Sequence, residues 1–389
     1  MRGAAPAALA LVFVWIGVSQ IENALHRIPL REAGVVLEKA RAGEADPAEL
    51  EEALAVSRIA WREGGELEGA ELVSELLLLR LGRRPNEAER DEARQALGAL
   101  REARPASAWV RGRQAHLEIY HGDRGHGEAL LAEALVLAPH ERPLWRWAAD
   151  VAFERALETG DPEWTERCIE RWTEVNRGAG DLVAESLAKI ALLDDSPHVL
   201  EMVAPPTYAG YLALGEQLRD LGHLVGAERA LREALRLEPW RPRAAFALGA
   251  VDLEQGESEA ALESFEQCLE HEHEGRAQQL ARIQGLFYRQ RAFDLQLELL
   301  ERVRRRWPDL PNLDVARARA FLDAGDAVAA RRVLATRSRP WELPEIALLL
   351  ATAEHRLGDA DAARRLLDRA RAAAPRDERL EEMILELER

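Results

Sequence analysis

Apolar residues recur at helical spacing along most of the chain, and short polar turns with Gly, Pro or Asp separate the runs. Apolar positions three and four residues apart share one face of a helix. The run from Leu67 to Leu81, for example, predicts a helix that stops at Gly82, and Asn86 predicts the cap of the next one. The pattern therefore predicts an all-α chain.

A longer period lies over this helical pattern between Tyr208 and Glu274. Five positions return 34 places later: Gly215, Gly222, Ala227, Leu231 and Ala234 become Gly249, Gly256, Ala261, Phe265 and Cys268. A period of this length indicates stacked helix pairs.

The same period divides the chain into five predicted segments. Residues 108–204 hold a degenerate array, in which the period is lost after Asn176, and Pro205 and Pro206 block the continuation of a helix. Residues 205–379 hold an array of about five repeats, and residues 380–389 form a capping helix. Residues 22–107 are predicted to form atypical helical hairpins, and residues 1–21 a signal peptide or membrane anchor.

The N-terminal segment is an apolar run from Ala4 to Val18 that follows Arg2 and meets no charge until Glu22. At about 15 residues it is short for a membrane-spanning helix and fits the hydrophobic core of a secretory signal. Cleavage before Gln20 and retention as an anchor both stay open. Either one places the rest of the chain outside the cytoplasm, so we expect a periplasmic or inner-membrane-anchored protein. A reversed orientation and a buried N-terminal helix are the alternatives.

Composition narrows the classes of partner. The chain is 47% hydrophobic and 31% charged, which suits packed amphipathic helices. A net charge of −17 repels phosphate backbones, so we expect no nucleic-acid partner. The basic run at residues 302–307 is expected to be the solvated end of a helix. Cys168 and Cys268 are too far apart along a repeat array for a disulfide, and Cys268 occupies a position for a small buried side chain.

Motifs for catalysis and metal binding are missing from the sequence. It has no glycine-rich phosphate loop, serine elbow or Cys-x-x-Cys pair, so we expect no catalytic residue, cofactor or metal. The segment from His271 to Glu274 is interpreted as an exposed turn. His116, His121 and His126 recur every five residues, which matches no helical ligand pair, and we interpret them as a loop surface.

The repeat positions resemble those of the tetratricopeptide family, closely from Tyr208 to Pro375 and less closely from Ala108 to Trp172. The residues that carry the resemblance are Tyr211, Leu214, Gly215, Ala227, Leu231, Ala234 and Pro239. It implies an α-solenoid of antiparallel helix pairs, a superhelix whose concave groove is lined by first helices and binds peptides or protein surfaces.

Carried onto this chain, the resemblance predicts nine groove residues. They are Leu212, Glu216, Arg219, Arg243, Phe246, Leu253, Tyr288, Arg319 and His355. Family members that grip a chaperone's C-terminal carboxylate use Lys and Asn where this chain has Leu212 and Glu216, which argues against that role.

These observations predict a non-enzymatic protein-interaction scaffold of the bacterial cell envelope. It would bind a partner peptide or helix in the groove, as an accessory of polysaccharide or envelope-complex assembly. One alternative is a membrane-anchored regulatory adaptor that faces the cytoplasm. Another is an enzyme subunit with a pocket between the two arrays near Trp164, Trp172 and Tyr208.

Overall fold

The computed structural model describes residues 29–82, 86–177, 181–272, 275–335 and 344–373. Within these ranges the chain consists of helices and short connections, without a strand. The predicted all-α fold of successive helix pairs is therefore confirmed.

The chain divides into two compact units, with the boundary between Ala152 and Phe153. The helices of the first unit are α1 (residues 29–41), α2 (Pro47–Arg62), α3 (Leu67–Leu81), α4 (Glu87–Ala103), α5 (Ala108–His121) and α6 (Arg124–Leu137). The boundary falls within α7 (Arg142–Thr159).

The second unit continues with shorter helices and then with regular pairs. Its helices are α8 (Pro162–Asn176), α9 (Val183–Ala191), α10 (Pro197–Val203), α11 (Tyr208–Asp220), α12 (Leu224–Leu237), α13 (Pro242–Gln255), α14 (Ser258–His271), α15 (Arg276–Gln290), α16 (Phe293–Arg306), α17 (Leu313–Asp323), α18 (Ala327–Ala335), α19 (Pro344–Arg356) and α20 (Ala360–Ala373). We call α11, α13, α15, α17 and α19 the first helices of their pairs.

Helix starts are fixed by the capping residues that the sequence indicates. The Asp46 carboxylate accepts a hydrogen bond from the Ala48 backbone N–H at 2.8 Å, and the Glu49 carboxylate accepts one from the Asp46 N–H at 3.1 Å. The Asn86 side chain accepts from the Ala88 N–H at 3.0 Å. These bonds satisfy backbone donors that have no partner inside the helix. They fix the start of α2 after Asp46 and the start of α4 after Asn86, as predicted for α4.

Close approach of the two helices in a pair depends on the repeat glycines. A β-carbon on Gly215 would lie 2.5 Å from Cγ of Leu231, and one on Gly249 would lie 2.7 Å from ring carbons of Phe265. Leu231 and Phe265 are completely buried. The missing side chain on the first helix therefore makes the space that the large side chain of the second helix fills.

Polar bonds hold the region where the 34-residue period is lost. The buried Asn176 amide at the end of α8 donates to Oγ of Ser186 on α9 at 2.7 Å and to the Val203 carbonyl at the end of α10 at 3.2 Å. Ser186 in turn donates to the Val183 carbonyl at 2.8 Å. These directional bonds join α8, α9 and α10 in a buried setting.

Cys168 and Cys268 are both buried, and no disulfide joins them. Sγ of Cys268 receives a hydrogen bond from the Gln279 amide at 3.3 Å, and burial raises the pKa of this thiol to about 11. The predicted packing role of Cys268 is confirmed.

Several predictions concern residues outside the described ranges, namely the N-terminal apolar run and the capping helix at 380–389. Among the residues that are described, no helix is long and apolar enough to cross a bilayer. The domain boundaries at 107, 204 and 379 stay predictions.

Candidate functional site

Ion pairs link neighbouring first helices in the second unit. Arg243 on α13 donates two hydrogen bonds to the Glu216 carboxylate on α11, from Nε to Oε1 at 3.1 Å and from Nη2 to Oε2 at 2.9 Å. Arg319 on α17 pairs with Glu345 on α19 at 2.8 Å. These links run between equivalent helices of successive pairs, so they fix the positions of charged side chains from one repeat to the next.

Arg219, at the C-terminal end of α11, pairs with Asp220 at 2.9 Å and lies 4.0 Å from the Glu254 carboxylate on α13. A cation at this end of a helix also complements the helix dipole. The predicted charged residues thus lie among carboxylates, and a partner that binds there must compete with existing ion pairs.

Aromatic side chains continue along the same helices. Phe246 on α13 is half-buried, its ring centre lies 6.2 Å from that of Phe265, and the Arg282 guanidinium on α15 lies 5.1 Å above it. Tyr288 on α15 is 58% exposed and packs against Phe293 at 6.2 Å. These rings offer apolar contact area between the ion pairs.

The remaining predicted groove residues differ in exposure. Leu253 is half-buried and His355, in the last turn of α19, is exposed. Leu212 is only 6% exposed, so its side chain packs inside the repeat and offers little area to a partner, and we remove it from the surface. The first-helix surface is accordingly Glu216, Arg219, Arg243, Phe246, Leu253, Tyr288, Arg319 and His355.

The basic run lies in the last turns of α16, as predicted, and acidic side chains surround much of it. Arg302 pairs with Glu259 at 2.8 Å and Glu298 at 2.6 Å, and these two carboxylates raise its pKa. Arg306 pairs with Glu270 at 2.5 Å. Such pairs reduce the positive field that an anionic partner would meet.

His116 does not belong to a loop surface, so that interpretation is wrong for this residue. It lies within α5, whereas His121 ends α5 and His126 lies in α6. The spacing of five is therefore spread over two helices and a turn. The His116 ring lies 4.9 Å from the Tyr120 ring and 5.8 Å from the Trp147 ring, measured between ring centres.

These rings line a cavity of about 610 Å³ in the first unit, between α5 and α7, which we call the aromatic pocket. Trp109 and Tyr120 are 40% and 42% exposed, and Trp147 is half-buried. The full lining is Ala108, Trp109, Gly112, Arg113, His116, Tyr120, Ala138, Glu141, Pro143, Leu144 and Trp147. A concave site with an apolar lining and a few polar groups is the usual form of a ligand site.

The polar groups of the pocket have unequal surroundings. The Arg113 guanidinium pairs with the buried Glu75 on α3 and lies 5.8 Å above the Trp109 ring. Burial, assisted by the charge of Arg113, lowers the pKa of His116 to about 4, so this imidazole is neutral at pH 7. Nδ1 of His116 is buried and has no hydrogen-bond partner. Glu141, in the turn before α7, is exposed.

Two further interpretations concern a metal centre and a pocket near the array boundary. Within the described ranges no three His, Cys, Asp or Glu side chains come together in a metal-binding group, and the motif that begins at His271 extends beyond those ranges. Trp164, Trp172 and Tyr208 are 8%, 0% and 6% exposed, so these side chains serve as packing residues.

The aromatic pocket was not predicted from the sequence, although the sequence holds one signal for it. Trp109, Gly112, His116 and Tyr120 are spaced three, four and four apart, which places them on one face of a helix. What the spacing does not give is the position of Trp147 on the neighbouring helix.

Comparison with known proteins gives matches among solved structures alone. No protein-family model and no curated protein matches the chain. YrrB, a TPR protein "with an unusual peptide-binding site", is 16% identical over 52% of this chain and 99% of its own, with a TM-score of 0.30. A thermophilic TPR protein of Thermus thermophilus is 24% identical over 46% of this chain and 98% of its own, with a TM-score of 0.29. Yeast Tom70 is 15% identical over 92% of this chain and 88% of its own, with a TM-score of 0.31. Similarity this distant carries no information about function.

Proposed function

We propose that the chain is a non-enzymatic scaffold that binds a peptide or helix of a protein partner on the first-helix surface. The observation that carries this proposal is the Arg243–Glu216 pair, because it holds charged groups in register across two repeats, and α13 also carries the half-buried Phe246 and Leu253. Fixed polar groups around apolar contact area are the elements of a specific protein interface.

Apolar contact with Phe246 and Tyr288 would supply affinity, and the ion pairs would set orientation. Each exposed pair contributes little to folding, so its carboxylate or guanidinium can be re-paired by a partner at low cost. We further propose that the scaffold serves the bacterial cell envelope, through the N-terminal apolar run. A membrane-anchored adaptor that faces the cytoplasm is the alternative, and a phosphatase fused after Arg389 would distinguish the two by its activity.

The interaction is tested by crosslinking and capture with the full chain. Reversing two charges, Arg219→Glu and Arg319→Glu, is expected to remove partners that wild-type protein captures. The matched control carries Arg232→Glu and Arg236→Glu, which reverse the charge of two exposed arginines on the second helix α12. Identical partner sets for all three proteins would show that the first-helix surface is not the binding surface.

A further inference from the structure

The aromatic pocket belongs to the first unit, whereas the first-helix surface belongs to the second, and the two differ in chemistry. Its three large rings come from α5 and α7, and two of them are about 40% exposed. Exposed aromatic rings in a cavity are costly to leave in water and are typical of binding sites. The charges around the rings decide what kind of group the pocket receives.

The positive charge in the pocket is already compensated. Arg113 is paired with the Glu75 carboxylate, which is 8% exposed and also receives a hydrogen bond from Arg41 at 2.8 Å. His116 is neutral at pH 7, so its ring adds no positive charge to the pocket.

The negative charge at the rim is not compensated. Within the described ranges, no cation pairs with Glu141. The whole chain carries a net charge of −17, which attracts cations to its surface. Charge complementarity therefore favours a cationic occupant over a neutral or an acidic one.

The chain itself shows how such an occupant would pack. Arg113 lies over Trp109, Arg167 lies 4.6 Å above Trp164, and other arginines lie over Trp61 and Trp307. The planar guanidinium stacks well on an indole ring. In the part of the chain that the structure describes, no arginine stacks on the Trp147 ring. The aromatic ring that packs near it is that of the neutral His116.

We propose that the aromatic pocket binds an arginine side chain from an extended basic segment of a partner protein. The guanidinium stacks on Trp147, and the exposed Glu141 carboxylate accepts hydrogen bonds from its N–H groups and supplies the opposing charge. Arginine suits this arrangement because its several donors lie in one plane, as the rings of the pocket require.

The test is fluorescence polarisation with labelled Gly/Ser peptides that carry arginine, citrulline or proline at the same positions. Citrulline keeps the shape of arginine and removes its charge. The arginine peptide is expected to bind wild-type protein at least about fivefold more tightly than the citrulline peptide, the scale of a partly desolvated cation–π contact. Equal binding of the two peptides, or tighter binding of the proline peptide, would overturn the proposal.

Variants distinguish binding in the aromatic pocket from attraction to the overall negative charge of the chain. Trp147→Ala and Glu141→Gln are expected to abolish the preference for arginine. Trp240→Ala and Glu52→Gln, exposed residues outside the pocket, should preserve it. Since Glu141 lies in an exposed turn, its variant tests the proposal even where Trp147→Ala fails to fold. An arginine preference that survives in Glu141→Gln would mean attraction to the overall charge, and would count against the pocket.

Discussion

Arg243 and Glu216 join two successive first helices through two parallel hydrogen bonds, although the arginine side chain is 69% exposed. The Glu92 carboxylate makes a contrasting link in the first unit. Its side chain is 10% exposed and accepts from Arg58 Nε at 2.9 Å and Arg62 Nη2 at 2.6 Å. The Glu216 side chain is 32% exposed, so water reaches its carboxylate more readily than that of Glu92.

Loss of these two carboxylates is therefore expected to have different costs. A double-mutant cycle with Glu216→Gln and Arg243→Gln should give a coupling energy below about 1 kcal/mol, because water screens the pair. Glu92→Gln should cost about 1.5–3 kcal/mol, since it weakens charged hydrogen bonds at a buried site. Urea unfolding monitored by circular dichroism measures both. A larger cost for the exposed pair would contradict the assignment of Glu216 to a surface that is free to re-pair.

The repeat glycine at position 249 should be intolerant of even one methyl group. A β-carbon there would meet the ring of Phe265 at 2.7 Å, so Gly249→Ala is expected to destabilise the protein by about 1–3 kcal/mol. Gly285 in α15 is the matched control, because the nearest atom to its β-carbon would be 3.9 Å away. Gly285→Ala should stabilise by about 0.5–1 kcal/mol through helix propensity. Thermal midpoints of the two variants should move in opposite directions.

Titration of His116 should make the protein less stable in mild acid. Its pKa falls from an ordinary value of 6.5 to about 4 in the folded state, so the unfolded chain binds this proton more readily. Stability is therefore fully present above pH 6.5 and declines towards pH 4, by up to about 1.4 kcal/mol per pH unit.

Comparison of two glutamine variants isolates this contribution. His116→Gln should flatten the slope of stability against pH between 6.5 and 4, and His355→Gln, at an exposed position on α19, is the control substitution. NMR of the imidazole signals gives the pKa directly. A value near 6.5 for His116 would show that the ring is open to water.

Local signals in the sequence predicted the helices more completely than the sites. The bounds of α3, Leu67–Leu81, agree with the prediction because apolar spacing and the following glycine are both local. Leu212 illustrates the opposite case. Its repeat position resembles a groove position, but its side chain is only 6% exposed. The exposed fraction of a side chain cannot be predicted from its repeat position alone.

The side chains that pair between neighbouring helices could not be predicted from the repeat pattern either. Glu216 and Arg243 are 27 residues apart, so the 34-residue period does not relate them. Their contact depends on the offset between α11 and α13. The aromatic pocket depends in the same way on α7 lying beside α5. This packing brings Trp147 to the face of α5 that carries Trp109, His116 and Tyr120.

The bonds of Asn176 bear on how a chain of this kind can change its length. Between regular pairs the contacts are interchangeable small and large apolar groups, so a whole unit can be duplicated or deleted and its neighbours still fit. Asn176, Ser186 and the Val203 carbonyl offer no such freedom, because each needs one specific partner in one orientation. Repeats can therefore be duplicated within the array after Val203, but not across the junction of α8, α9 and α10.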